Sequence, residues 1–134
     1  MRKMMETEHF MIEKIEEGCF RATMKSHIEF TLEVAKEFDD AANEITEMKK
    51  HVMVFNATKL VYAHADAREY IKEAQERNGT AVAVAFIAKS AFSKVAGNVF
   101  LTVTGPSFPM RLFTSSIEAE NWAIERYREY EAGV

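Results

Sequence analysis

The chain has one cysteine, two prolines, five glycines and one tryptophan among 134 residues. A lone cysteine, Cys19, excludes an intrachain disulfide and suits a reducing compartment. So little proline and glycine, with no repeat, low-complexity tract or Pro/Gly/Ser linker, favours a single domain over residues 1–134. The glycines also fall in the wrong places for nucleotide chemistry. Gly79, Gly97 and Gly105 lie too far apart for a phosphate loop or a dinucleotide fingerprint. No apolar run approaches the ~20 residues of a membrane span, and the charged stretch Met1 to Glu8 lacks a signal-peptide core. The expectation is a cytoplasmic protein with no membrane insertion.

A formal net charge of −4 gives no basic face for nucleic acid, so no nucleic-acid partner is expected. The chain is 48% hydrophobic and 28% charged, a globular composition. A domain of this size buries about two-thirds of its surface on folding and needs no metal or disulfide staple.

Phe10 to Ile15 and Cys19 to Lys25 read as the strands of a hairpin, turned by Glu16-Glu17-Gly18 with Gly18 free to take positive φ. In the second strand Phe20, Ala22 and Met24 point one way, Cys19, Arg21 and Thr23 the other. The clearest helix follows. Ile28, Leu32, Ala35, Phe38, Ala42, Ile45 and Met48 recur at spacings of three and four. Ser26 and Glu29 have the spacing of a capping box at its start. Val52 to Phe55 reads as a strand. Ala63 to Arg77 reads as a second helix with a thin stripe (Ala67, Tyr70, Ile71, Ala74), Asp66 and Glu69 in capping-box spacing, and Asn78-Gly79 as its stop.

Ala81 to Ala88 is apolar on both faces, which predicts a strand covered by helices on both sides, with small alanines allowing close approach. Phe92, Val95, Ala96, Val99, Phe100 and Val103 mark a third helix ended by Gly105-Pro106. Met110 to Phe113 is a last strand. Ser115 and Glu118 cap a final helix whose Ala119, Trp122, Ala123 and Tyr127 face the sheet. The predicted fold is α/β, in the order β-β-α-β-α-β-α-β-α: a five-stranded, mostly parallel mixed sheet with four helices.

That order, together with Ser90-Ala91-Phe92-Ser93, Gly97-Asn98-Val99-Phe100, Pro106-Ser107-Phe108-Pro109-Met110-Arg111-Leu112-Phe113 and Glu118-Ala119 with Trp122, resembles the STAS-like fold of anti-sigma-factor antagonists. The nearest likeness is to small bacterial STAS-like, or SpoIIAA-like, proteins. By recognisable residues it covers about Ala81 to Ala123. The resemblance implies a non-enzymatic binding or regulatory module, forming a homodimer and recognising a protein partner or a small ligand. One departure counts. Antagonists that switch by phosphorylation carry an Asp-Ser-Ser-Gly-like motif where this chain has His64-Ala65-Asp66, and no serine lies between Asn56 and Asp66. A phosphoserine switch is not implied.

Catalytic constellations are absent. His9, His27, His51 and His64 form no pair at helical ligand spacing, and no second cysteine joins them, so no metal and no cofactor are expected. Cys19 has no neighbouring motif and reads as a packed thiol. There is no Gly-x-Ser-x-Gly elbow, and Ser90 or Ser93 reads first as a helix cap. His64 with Asp66 could orient an imidazole, the basis of a third reading as a hydrolase; a solvated helix entrance is favoured instead.

One loop remains as a candidate ligand or partner site: Asn56, Thr58 and Lys59, then His64, Asp66 and Arg68. It runs from a strand end to a helix N-terminus, where free N–H groups and the helix dipole favour anions. The alternative function is carriage of a lipid or other small apolar molecule in a cavity under the helices; Phe92, Val95, Val99 and Phe100 could line such a pocket or a dimer face, but are favoured as core residues covering the central strand. Gly97 marks close packing on that helix, and the Phe108–Pro109 bond is a candidate for the cis form.

Overall fold

The computed structural model describes residues 3–90 and 110–133. Along them run β1 (Met4–Glu6), β2 (Phe10–Glu16), β3 (Cys19–Met24), β4 (Ile28–Phe30), α1 (Leu32–Thr46), β5 (His51–Asn56), β6 (Leu60–Ala63), α2 (Ala65–Asn78), β7 (Ala81–Ile87), β8 (Met110–Phe113) and α3 (Ser116–Glu131). The α/β class is as expected. The predicted third helix, with Phe92, Gly97 and the Phe108–Pro109 bond, lies outside the described residues.

Six strands form one mixed sheet in the order β1-β2-β3-β5-β7-β8. The first two pairings are antiparallel and the other three parallel. The hairpin turn is where the sequence puts it, with Gly18 at φ 73°. Parallel strands are normally covered on both faces, and here they are. Phe20, Ala22, Met24, Met53, Phe55 and Phe86 pack with α1 and α2. The alternate residues Cys19, Val52, Val54, Ala83, Ala85 and Ile87 pack with Ala119 and Ala123 of α3. Both of those helix alanines are fully buried against the alanines of β7, so small residues on both sides bring helix and sheet close. This two-sided burial is why Ala81 to Ala88 shows no polar alternation. Ser115 caps α3, its Oγ accepting from the Glu118 N–H at 3.3 Å.

Two expectations fail at the edges of the sheet. The strand count is six because Met4–Glu6 adds an edge strand, its residues paired to Glu13, Ile12 and Met11. The first helix also starts later. Ile28–Phe30 is extended and pairs in parallel with Leu60–Ala63 as a separate two-stranded ribbon. The cap is Thr31, whose Oγ1 accepts from the Val34 N–H at 3.3 Å, and not the Ser26–Glu29 box. Ile28, Phe30 and Thr31 are β-branched or aromatic and favour extension, and extension carries Phe30 into the core beside Phe10 and Phe55.

Met48 likewise leaves the predicted stripe. Glu47 and Met48 both take φ 57°, which ends α1 and leaves Met48 exposed. The second helix keeps its predicted stop: Gly79 at φ 58° donates its N–H to the Gln75 carbonyl. Its start differs, for the N-cap is His64, with no side-chain cap from it. Asp66 lies in the first turn, where a negative charge suits the helix dipole.

The larger core is aromatic. Phe55 contacts the rings of Phe10, Phe30, Phe38 and Phe86 at centroid distances of 5.1 to 6.2 Å. A single side chain at such a junction contributes about 1.5–3 kcal/mol by burial alone.

Candidate functional site

The loop after β5 is built as a closed turn. Asn56 Oδ1 accepts from the Thr58 N–H at 3.1 Å and from Thr58 Oγ1 at 2.8 Å, so these two side chains satisfy each other. The chain then re-enters extended structure as β6, where a free anion-binding loop was expected. His64 turns to Glu29 across the ribbon, Nε2 to Oε1 at 3.0 Å, with Tyr62 edge-on to its ring. Asp66 is exposed on α2, and Lys59 is half-buried beside the turn. Of the six candidates, only Arg68 reaches the cavity described below. Asn56 and Thr58 thus bond each other, His64 bonds Glu29, and Arg68 lies at the cavity.

The other reactive side chains are equally occupied. His9 Nδ1 lies 2.7 Å from Glu37, whose carboxylate also accepts from Thr7 Oγ1 and from the His9 backbone N–H. Burial alone would raise the Glu37 carboxyl, but these hydrogen bonds from Thr7 and His9 outweigh it and hold it below its ordinary value. Glu8 completes a trio of ligand-type residues there. Both Glu37 oxygens are already used, however, so the trio reads as a strut between the β1–β2 turn and α1. Cys19 is buried at the base of α3. Desolvation first, then the charge of Glu16, pushes its thiol up to about 12, which makes it inert as a nucleophile.

A cavity of about 140 Å³ lies between the sheet and the α1–α2 pair. Its walls are Phe30, Phe38, Met53, Phe55, Ile71 and Phe86, with Leu60, Val84 and Met110 beyond them. The reason for the void is visible in the helices. Where α1 and α2 face these large rings they present Ala42 and Ala74, whose methyl groups cannot fill the space. Polar groups mark its margin: Asp39 and Asn43 from α1, Arg68, Gln75 and Asn78 from α2, and His51 and Thr80 at the strand starts.

Three of these margin groups have defined states. Gln75 is spent on Ala81, bonding both its N–H and its carbonyl. Burial raises the Asp39 carboxyl, the neighbouring Asp40 adds to the rise, and Tyr70 OH donates to it at 3.5 Å. Burial lowers the His51 imidazole, and its Nδ1 lies 2.9 Å from the Lys49 carbonyl oxygen.

No signal in the sequence marked this cavity directly. The nearest was the thin apolar stripe of α2, which is the same shortage of side-chain volume seen from the other side.

A family described as Domain of unknown function (DUF7793) has a model that matches residues 13–127 of the chain. The chain belongs to that family. The matched span takes in β3 to β8, most of β2 and three-quarters of α3, and so holds every residue around the cavity of this DUF7793 domain. No curated protein matches it. Among the described residues of the DUF7793 domain, no helix is long and apolar enough to cross a membrane.

Proposed function

We propose that this domain is a non-enzymatic, STAS-like binding module whose site is the apolar cavity under α1 and α2, holding a small, mainly apolar molecule. The cavity carries this reading. An aromatic-walled void with a few polar groups at its margin is what a small-molecule site needs: apolar contact for affinity and sparse polar marks for orientation. The described cavity residues include no serine, cysteine or lysine, and the buried Cys19 belongs to the opposite face of the sheet. A hairpin that runs into parallel strands, helices α1 and α2 on one face and α3 on the other, supports the STAS-like part.

Native mass spectrometry of freshly purified protein, with no ligand added, tests the reading. A retained mass above that of the chain, at monomer or dimer, supports it. The variant Ala42→Met, which fills the void from α1, should lose that mass while keeping its fold. A retained mass that Ala42→Met leaves unchanged places the ligand elsewhere and sinks the proposal.

A second reading, recognition of a protein partner, is favoured by Val61 and Tyr62. These neighbours on β6 are both exposed, and β6 is paired only to β4 among the described strands. A partner whose capture is abolished by Val61→Asp, but unaffected by Ala42→Met, would establish that reading in place of the first.

A further inference from the structure

The margin of the cavity carries more chemical information than its apolar walls, and His51 supplies most of it. A carbonyl oxygen can only accept, so the 2.9 Å contact with Lys49 requires that His51 Nδ1 carry the hydrogen. Burial disfavours a second proton on the ring. The remaining ring atom able to hydrogen-bond, Nε2, is then an acceptor in need of a donor. His51 is only 7% exposed and borders the cavity.

One further margin group, Asp39, points the same way. Asp39 adds acceptor character and is positioned to oppose an anion. Arg68 has an interaction of its own within the chain and is not a vacant counter-charge. Size sets the other limit: a cavity of about 140 Å³ compares with the ~150 Å³ of an apolar cavity that accommodates benzene.

We infer that the cavity selects a neutral, single-ring molecule bearing one hydroxyl donor, which bonds to His51 Nε2 while its ring lies against Phe55 and Phe86. This rests on the cavity reading above and adds the ligand class to it. The sign of selectivity is diagnostic. Phenol and toluene are nearly equal in size, and toluene is the more hydrophobic. A purely apolar cavity therefore prefers toluene, because burying a hydroxyl without a partner is costly. An acceptor in the right place reverses the order.

The experiment is a ¹H–¹⁵N NMR titration of the full chain with phenol, toluene and benzoate as probes, each repeated on His51→Phe and on Ala42→Met. Phenol is expected to bind about tenfold more tightly than toluene, a difference of ~1.4 kcal/mol. That preference should vanish or invert in His51→Phe, and Ala42→Met should weaken both neutral probes. Toluene binding as well as phenol, or benzoate binding best, overturns this inference and leaves the cavity reading standing. No shift with any probe defeats the cavity reading itself. Should His51→Phe not fold, the ring's own ¹⁵N resonances decide the point in the wild type: a hydrogen found on Nε2 instead of Nδ1 overturns the inference.

Discussion

The ring of Tyr127, on α3, lies directly over Gly18 in the β2–β3 turn, in the space that a Cβ would occupy. Two independent constraints therefore meet at one glycine. Its φ of 73° is a left-handed conformation that L side chains rarely adopt, and the aromatic ring closes the remaining volume. The turn is also tied to the central strand, since the Gly18 carbonyl accepts from the Val52 N–H at 2.9 Å. Tyr127 thus holds α3 against the hairpin at this glycine, beside the ion pairs Arg21–Glu120 and Arg128–Glu16.

Gly18→Ala is expected to destabilise the domain by about 2–4 kcal/mol, combining left-handed strain with displacement of a packed ring. The two causes separate in a double-mutant cycle. In a Tyr127→Ala background only the backbone strain remains, so the same substitution should cost about 1–2 kcal/mol. Urea unfolding of the four proteins measures this. Strict additivity would show that the ring does not oppose a Cβ in solution.

How much of this was legible beforehand depended on element length. The hairpin, β5, β7 and α3 each carry enough residues to show a pattern, and Ala81 to Ala88 announced burial on both faces through its lack of polar positions. The three- and four-residue strands β1, β4 and β6 are too short to show one. Ile28 misled for a specific reason: it lies four residues before Leu32, a spacing that fits a helical face, while Phe30 breaks that pattern and prefers the aromatic core. Likewise, Asp66 and Glu69 have capping-box spacing but fall inside α2, because β6 holds the chain extended as far as Ala63. The cavity was illegible since it is a deficit of volume at Ala42 and Ala74, which no motif records.

Burial also decides the chemistry of the single thiol. Desolvation and nearby carboxylates push Cys19 up to about 12, so at pH 8 only about one molecule in ten thousand carries the thiolate, the reactive form. Iodoacetamide at pH 8 should leave the native protein unmodified over hours, while full alkylation is expected in guanidinium chloride. Stoichiometric labelling of the native protein, at the rate of a free cysteine, would place the sulfur at the surface and contradict its position beneath α3.

Glu37 makes stability depend on pH in a defined direction. Its ordinary carboxyl value is 4.5, and although burial acts to raise it, hydrogen bonds from Thr7 and His9 hold it lower in the folded chain. A group depressed on folding contributes its stability fully above the unfolded value and loses it as pH falls through the folded one. At pH 7 the variant Glu37→Gln should therefore be less stable than wild type by about 1–2 kcal/mol, the scale of hydrogen bonds to a charged acceptor. Toward pH 3 the wild-type carboxylate becomes protonated, and the gap between the two proteins should close. Denaturant midpoints at pH 7, 5 and 3 measure the trend. A gap that stays constant across this range would mean that the Thr7–His9–Glu37 strut acts through shape alone, with no contribution from its charge.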